Sequence, residues 1–320
     1  MKYRDTLQEQ GYVPTPFGID YETRLRLAHL GSQLIEQSID DETLLQALTF
    51  SPQPNCPGKP ITSFEVGHPR VAKDDSEWLH TGLQTEENAR RVYENNLPEL
   101  LSEFFVIQRA VIDEVILQWT AFLEDLLDEP ADAIEMLGHQ DILRNNVILR
   151  FVRYPHLENY TQENGTFSAH GDISTLTMQL FNSHDGHLRI MPYPVDMITD
   201  KVDKKRYDHV KALHSKATAA SYNRDSQAAT FLGFGAANYR GSNGEKVFHG
   251  LHAGYHVGIP PTEKCRIEPQ AEELFGKNTR LTIVAFGHPH YDFPYTRYRT
   301  PTTEAARPEQ VWEKNTLQDM

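Results

Sequence analysis

The stretch HGDISTLTMQL, residues 170–180, begins with a His-x-Asp pair and continues as an alternation of apolar and polar residues. Alternation with a period of two predicts a β-strand. In a strand, residues two apart point to the same side, so His170 and Asp172 can offer a nitrogen and an oxygen to one metal ion. The stretch therefore predicts a strand with two candidate metal ligands at its start.

The His-x-acid pattern alone is weak evidence for a metal site. With 15 His and 45 Asp plus Glu among 320 residues, chance predicts about two such pairs. The chain contains four, the other three being His139-x-Asp141, His156-x-Glu158 and His290-x-Asp292. Only the pair at 170 leads directly into an alternating run and is followed at long range by histidines in another strand-like segment. The context therefore favours this pair over the other three as metal ligands, with a hydrogen-bonded residue at a strand end as the alternative for His170.

The composition, with 39% hydrophobic and 24% charged residues, is that of a globular protein able to build a large core. A net charge of −14 at pH 7 argues against nucleic acids or anionic membranes as partners, and it is compatible with a small-molecule substrate. The most apolar run contains Arg109, Asp113 and Glu114, which argues against a membrane span. The N-terminus lacks an apolar core of signal-peptide type. Cys56 and Cys265 form neither a disulfide framework nor a zinc-site spacing, so we expect a cytoplasmic protein.

Helical spacing dominates the first 145 residues. Asp20 can cap a helix whose apolar residues recur at helical spacing up to Ile35. A second helical region is expected from about Glu86, with a break at Pro98. Beyond the break, one wide apolar stripe predicts a helix packed in the core, formed by Leu101, Phe105, Ile112, Ile116, Trp119, Leu123 and Leu127. We expect loops with short strands at 39–85, and another short helix from Met136 to Arg144.

Strand-like segments bounded by Gly, Pro, Asn and Asp dominate after residue 146. They are NVILRFVRYP, STLTMQLF, HLRIMPY, ATFLGFG, KVFHGLHAGYHVGI and TRLTIVAF. Six or more such strands predict an α+β fold, in which a helical N-terminal region packs against a double-stranded β-helix, or jelly roll. The helical region is predicted at 1–145 and the jelly-roll catalytic core at 146–300, with an insertion at about 196–228. A C-terminal tail follows at 301–320, and the whole is expected to form one compact unit.

Four motifs resemble the isopenicillin N synthase-like family of Fe(II)/2-oxoglutarate-dependent oxygenases. HGDISTLTMQL is similar to the family's HTDxSxLTxLL segment, and LRFVRYP to the strand before it. LHAGYHVGIPP resembles the strand that carries the distal histidine, and RLTIVAF resembles the strand that carries the cosubstrate-binding arginine. The motifs occur in the family's order and cover about residues 146–290.

The third metal ligand is expected in the segment VFHGLHAGYHV, which contains three histidines. Matching LHAGYHV to the family's LKATxHRV selects His256, and the Pro-Pro pair downstream supports that register. Matching on Phe248 instead selects His252, whereas His249 falls on the opposite face of a regular strand. We favour His256 and keep His252 as the alternative.

Arg280 begins an apolar strand, where its charge needs a partner, and a guanidinium group matches carboxylate geometry bidentately. Thr282, on the same strand face, can donate a second hydrogen bond. The resemblance implies that Arg280 and Thr282 bind the far carboxylate of 2-oxoglutarate, and that Tyr154 hydrogen-bonds a cosubstrate carboxylate. Further candidates for the pocket, which the sequence does not rank, are Arg150, His187, Arg189 and Asn238.

The resemblance implies an Fe(II)- and 2-oxoglutarate-dependent dioxygenase with Fe(II) bound by His170, Asp172 and His256. Such an enzyme hydroxylates, desaturates or cyclises a small-molecule substrate with O2 and releases succinate and CO2. Neither the substrate nor the oligomeric state is indicated by the sequence.

Three other functions are compatible with the same residues. An iron oxidase or cyclase of isopenicillin N synthase type would use O2 without 2-oxoglutarate, and Arg280 would then hold a substrate carboxylate. A binding protein on the jelly roll would have no turnover, although a complete ligand set argues against it. A zinc hydrolase would need a general base, and no clear candidate stands beside the motif.

Overall fold

The structure is a computed structural model. It describes residues 2–49, 70–71, 76–130, 147–159, 172, 174–190, 218–219, 226–233, 236, 247–248, 250–251, 253–254, 256–258, 266–287, 295–298 and 312–315. The short helix predicted from Met136 to Arg144 lies outside the described residues, as do His170, His252 and Asn238.

The described chain has most of its helices before residue 130 and most of its strands after residue 146. The helices are α1 Lys2–Gln10, α2 Tyr21–Gln37, α3 Glu42–Leu48, α4 Leu83–Val92, α5 Glu99–Leu127 and α6 Pro269–Phe275, with a 3-10 turn at Leu157–Asn159. The strands are β1 Val13–Pro16, β2 Arg70–Val71, β3 Glu77–Thr81, β4 Val147–Tyr154, β5 Leu176–Asn182, β6 His184–Asp185, β7 Leu188–Ile190, β8 Thr218–Ala219, β9 Gln227–Leu232, β10 His256–Gly258, β11 Arg266–Ile267, β12 Arg280–Gly287, β13 Tyr295–Tyr298 and β14 Trp312–Asn315.

The largest sheet has seven strands in the order β1-β9-β5-β12-β4-β3-β2, and every neighbouring pair in it is antiparallel. A second sheet has the order β10-β7-β8, and the pairs β6-β11 and β13-β14 form two-stranded sheets. Strands β1, β2 and β3 belong to the first 81 residues, so the large sheet includes strands from both halves of the chain. Antiparallel sheets with helices agree with the predicted α+β class.

The helix boundaries follow local signals in the sequence. Asp20 precedes α2, and its side chain accepts a hydrogen bond of 2.7 Å from the backbone N–H of Thr23, which satisfies a free donor at the helix start. Helix α4 ends at Val92, and Pro98 stands immediately before α5. The predicted cap and the predicted break are both confirmed. Within the described chain, the helices are all too short or too polar to span a bilayer.

Helices α2 and α5 cover one face of the large sheet. The stripe predicted from Leu101 onward lies in the hydrophobic core, and the ring of Phe104 lies 5.5 Å from that of Phe151 on β4. At the end of β12, a Cβ atom on Gly287 would lie 1.7 Å from the indole of Trp119. The glycine therefore allows α5 to approach the sheet closely, and the site residues lie on the other face.

Strand β5 contains a β-bulge at Leu180. On β12, Val284 pairs with Gln179 and the adjacent Ile283 pairs with Phe181. Leu180 therefore has no partner on β12 and is the extra residue of the bulge. Leu180 and Phe181 are adjacent in sequence, yet both belong to the core under the helices. A bulge re-aims the residues that follow it, and Asn182 consequently lies opposite Thr282 on the other face.

The buried guanidinium of Arg24 on α2 holds the bulge in place. Its Nη1 donates hydrogen bonds to the carbonyl of Leu180, at 2.7 Å, and to the carbonyl of Gln227, at 2.9 Å. Arg24 is 1% exposed. A buried carbonyl without a donor is costly, so this arginine allows an irregular strand in the core.

Replacing Arg24 with methionine is expected to lower the free energy of unfolding by about 2–4 kcal/mol, because the buried carbonyl of Leu180 and the partly buried carbonyl of Gln227 lose a charged donor. Chemical denaturation followed by circular dichroism measures the change. Arg26→Met is the matched control, since Arg26 lies on the same helix and pairs with the exposed Glu103. Its effect is expected to stay within about 1 kcal/mol. Equal destabilisation by the two variants would contradict the role of Arg24.

Candidate active site

Alternate residues of β4 and β12 form one wall of a cavity on the sheet face away from α2 and α5. Even-numbered residues of both strands line it, whereas the odd-numbered Leu149, Phe151, Leu281 and Ile283 belong to the core. The cavity brings together six residues that the sequence suggested, namely Arg150, Tyr154, Asp172, His256, Arg280 and Thr282. Its apolar lining consists of Val152, Leu188, Val284 and Phe286.

Asp172 and His256 lie side by side, with 3.8 Å between the carboxylate Oδ2 and the imidazole Nε2. The other imidazole nitrogen, Nδ1, is 3.0 Å from the carbonyl oxygen of Gly254 and donates its proton there. With Nδ1 donating to this carbonyl, Nε2 is the ring nitrogen directed towards Asp172, where it can coordinate a cation together with the carboxylate. A carbonyl partner on Nδ1 is common for metal-binding histidines.

The Asp172 carboxylate is held by the strand that follows it. Thr177 Oγ1 donates a hydrogen bond of 2.7 Å to Asp172 Oδ2, and Ser174 Oγ lies 2.9 Å from the Thr177 hydroxyl. Thr177 is fully buried on β5. The hydroxyl pair therefore fixes the orientation of a candidate ligand, a role that the sequence pattern did not suggest.

The third ligand of the predicted set, His170, lies outside the described residues. Among the residues that the structure describes, there is no group of three or more His, Cys, Asp or Glu side chains able to hold a metal ion. His252 also lies outside them, so the choice of His256 over His252 stays a prediction. It is supported by the position of His256 beside Asp172.

Arg280 is 4% exposed and lies at the other end of the cavity wall. Its Nε donates a hydrogen bond of 3.1 Å to Asn182 Oδ1, and its guanidinium carbon lies 5.1 Å from the ring centre of Tyr154. Nη1 of Arg280 is buried and has no hydrogen-bond partner among the described residues. Arg280 is therefore a fixed cation with a free donor in a cavity, which suits an anionic ligand.

The bulge in β5 is the reason that Asn182 reaches Arg280. Without the extra residue, Asn182 would share a face with Leu180 and point into the core under the helices. Asn182 Oδ1 also accepts from the backbone N–H of His184, at 3.3 Å, which fixes the amide. The sequence carries no signal for this residue, because a bulge breaks the alternation by which strand faces are predicted.

Thr282 lies between Arg280 and the pair Asp172–His256 on the cavity wall. Its hydroxyl donates a hydrogen bond of 2.9 Å to the carbonyl of Phe181 and lies 3.5 Å from Gln179 Oε1. The oxygen of this hydroxyl can still accept a hydrogen bond.

His184 is a second buried group close to the Arg280 end. Burial lowers the pKa of His184 to about 4, and the positive charge of Arg280 acts in the same direction. His184 is consequently neutral at neutral pH. Its ring packs edge-on against that of His187, with 5.3 Å between the ring centres, and His184 does not compete with Arg280 as a cation.

Comparison with known proteins gives matches in structure alone. No family model matches the chain, and no curated protein matches it in sequence. A full-length Neurospora crassa protein, solved in complex with alpha-KG, superposes with a TM-score of 0.56 at 14% identity, over 98% of this chain and 86% of that one. A protein assigned to the 2OG-Fe(II) oxygenase family, from Caulobacter crescentus, gives a TM-score of 0.51 at 15% identity over 97% and 89% of the two chains.

The chain has the 2OG-Fe(II) oxygenase fold. A third match, the dioxygenase for auxin oxidation in rice, has a TM-score of 0.50 at 13% identity over 99% of this chain and 85% of that one. At these identities the likeness concerns the fold alone. What this chain can do chemically therefore depends on the residues of its own cavity.

Proposed function

We propose that the protein is an Fe(II)- and 2-oxoglutarate-dependent dioxygenase of the isopenicillin N synthase-like family, with a jelly-roll core, acting on a small molecule. One observation carries the proposal. A buried arginine with a free donor and a His-Asp pair lie on the walls of one cavity, as a chelating dicarboxylate would require. A cytoplasmic location stays a prediction from the sequence.

The residues present fit an Fe(II) ion. Asp172 supplies an oxygen ligand and His256 supplies Nε2, and both are already oriented by hydrogen bonds to other groups. His170, two residues before Asp172, is the proposed second imidazole. Two histidines and one carboxylate on one side of the metal leave positions open for other ligands, which is the arrangement of non-haem Fe(II) oxygenases.

The chemistry of the lining residues also suits 2-oxoglutarate. Arg280 would bind the far carboxylate through its free Nη1, and Tyr154 lies beneath the guanidinium. Thr282 would donate to the same carboxylate by turning its hydroxyl proton away from the carbonyl of Phe181. The dicarboxylate would extend from Arg280 towards Asp172 and His256, so its keto-acid end would reach the metal. The protein's part is to orient the cosubstrate and to exclude water, as the fully buried Tyr154 indicates at this end of the cavity.

When bound, Fe(II) with 2-oxoglutarate and O2 supplies oxidation of a C–H bond, coupled to decarboxylation of 2-oxoglutarate to succinate and CO2. One atom of O2 enters succinate and the other enters a hydroxylated product, so the reaction balances. Desaturation or cyclisation of the substrate can follow from the same oxidising step.

Anaerobic titration of the protein with Fe(II) and 2-oxoglutarate tests the proposal. We expect a weak visible charge-transfer band from the chelate, followed by O2-dependent release of succinate and CO2 in equal amounts. Oxygen consumption without succinate would favour an oxidase of isopenicillin N synthase type. Failure to bind Fe(II) or 2-oxoglutarate would favour a non-catalytic binding protein. Each of these two results would contradict the proposal.

Replacing Asn182 with leucine is expected to weaken 2-oxoglutarate binding about tenfold or more, because Arg280 loses the acceptor that fixes its Nε. The affinity for Fe(II) should be unchanged, since Asn182 lies at the Arg280 end. Titration of the charge-transfer band with each component measures both affinities. An equal loss of Fe(II) affinity would indicate general damage to the sheet, and an unchanged 2-oxoglutarate affinity would contradict the positioning role.

A further inference from the structure

Phe231, near the end of strand β9, packs against the proposed metal ligand His256. The centres of the two rings lie 5.1 Å apart with an angle of 50° between the ring planes, and Phe231 is fully buried. Phe231 also pairs with Thr177 on β5, the residue that donates to the Asp172 carboxylate. One cross-strand pair thus contacts both described members of the proposed metal site.

Backbone hydrogen bonds join the same end of β9 to the segment before His256. The N–H of Gly254 donates to the carbonyl of Leu232 at 2.8 Å. The carbonyl of Gly254 in turn accepts from Nδ1 of His256 at 3.0 Å. Gly254 therefore links the imidazole to β9 through both of its backbone groups.

The contact between Phe231 and this segment requires glycine at position 254. A Cβ atom on Gly254 would lie 2.5 Å from Cδ2 and 2.8 Å from Cγ, both in the ring of Phe231. Carbon atoms in favourable contact are about 3.5–4.0 Å apart. A side chain at 254 would consequently push the ring of Phe231 away or displace the carbonyl that holds His256.

The segment after Asp172 approaches the end of β9 just as closely. A Cβ atom on Gly233 would lie 1.8 Å from the carbonyl oxygen of Ser174, and the N–H of Gly233 donates to the carbonyl of Thr175 at 2.9 Å. The hydroxyl of Ser174 lies 2.9 Å from that of Thr177, which donates to the Asp172 carboxylate. Glycine at 233 therefore allows this ligand-bearing segment to lie directly against β9.

We propose that the end of β9, residues 231–233, sets the 3.8 Å separation between Asp172 and His256, and that Phe231 is a positioning residue for the metal. The inference rests on the proposed function, because it assigns these contacts to an Fe(II) site. The ring of Phe231 limits rotation of the imidazole, whereas a smaller side chain leaves room for it. Changing the groups that orient metal ligands typically lowers metal affinity by about ten- to a hundredfold.

Phe231→Leu tests the inference when it is compared with Phe151→Leu. Both phenylalanines are fully buried on the same sheet, but Phe151 lies on the helix side, against Phe104. Fe(II) affinity is measured anaerobically by competition with a chromophoric chelator, and stability by chemical denaturation of the metal-free protein. Both variants should be less stable than the wild type. Only Phe231→Leu should bind Fe(II) about tenfold or more weakly.

Gly254→Ala provides a second test, because its effect should depend on Phe231. Alone, it should weaken Fe(II) binding by about tenfold or more. Combined with Phe231→Leu, it should weaken binding by less than the product of the two separate factors, since the ring that the added methyl group would strike is absent. Phe231→Met takes the place of Phe231→Leu if the leucine variant does not fold.

Three results would overturn the inference. They are Fe(II) binding by Phe231→Leu that is as tight as in the wild type, an equal loss of Fe(II) affinity in Phe151→Leu, and effects of the substitutions at 231 and 254 that simply multiply. The second result would mean that Fe(II) affinity follows the general stability of the sheet. A wild-type protein that binds no Fe(II) would contradict the proposed function itself, which separates the two failures.

Discussion

Alanine at Asp172 or at His256 is expected to reduce 2-oxoglutarate turnover by about a thousandfold or more, because each substitution removes one proposed metal ligand and with it several kcal/mol of metal-dependent stabilisation. Fe(II) affinity should fall in parallel. Succinate release under saturating Fe(II) and an anaerobic Fe(II) titration provide the two measurements. The same loss is predicted for His170→Ala.

The controls are alanine at His156 and at Glu158, which form another His-x-acid pair of the chain. Both side chains are exposed, and Nδ1 of His156 lies 3.7 Å from Oε1 of Glu158. Neither substitution should change turnover or Fe(II) affinity. If Asp172→Ala bound Fe(II) as tightly as the wild type, the proposed metal site would be wrong.

Replacing Arg280 with glutamine should produce the second large effect, on 2-oxoglutarate rather than on iron. Removing one partner of a buried charged pair costs about 2–5 kcal/mol, which weakens binding by roughly 1.5 to 3.5 powers of ten. The charge-transfer band should then require far more 2-oxoglutarate to develop. Fe(II) affinity should stay the same, because Arg280 lies at the far end of the cavity from Asp172 and His256.

Arg266→Gln is the matched control for net charge, since Arg266 is exposed on β11. Its 2-oxoglutarate affinity should equal that of the wild type. Arg280→Lys should bind 2-oxoglutarate with an intermediate affinity, because an ammonium group keeps the charge but cannot form the bidentate pair with a carboxylate. Unchanged binding by Arg280→Gln would mean that the cosubstrate is held elsewhere, or that 2-oxoglutarate is not used.

Local signals in the sequence predicted much of the fold. Asp20 caps α2 and Pro98 precedes α5, because both effects depend on a few neighbouring atoms. The alternating runs around Phe151, Met178 and Ile283 became the central strands β4, β5 and β12, since their buried faces are long enough to be recognised.

Long-range pairing could not be predicted in the same way. Val13–Pro16 is a short segment with two prolines, yet it forms the edge strand β1 beside β9, and Thr15 bonds to Thr230. Edge positions tolerate proline because one side of the strand needs no donors. Which distant strand accepts such a segment depends on the assembled sheet rather than on its own residues.

The candidate site was predicted in part. Strand periodicity and the family resemblance suggested Asp172, His256 and Arg280, and all three line one cavity. Phe286 could have been predicted by continuing the alternation along β12 from Arg280. Asn182 could not, because the bulge at Leu180 interrupts the alternation along β5. The sequence named Arg150 without ranking it, because its place in the cavity depends on two aromatic rings from other strands.

The extra residue at Leu180 reverses which residues of β5 face the cavity, odd-numbered before it and even-numbered after it. Up to Gln179, odd-numbered side chains turn towards the cavity, and after Leu180 the even-numbered Asn182 does so. A one-residue deletion at this point would produce a more regular strand and turn Asn182 away from Arg280. The more regular strand would therefore leave the cosubstrate arginine without its acceptor, so the irregularity of β5 serves the proposed cosubstrate site as well as the packing around Arg24.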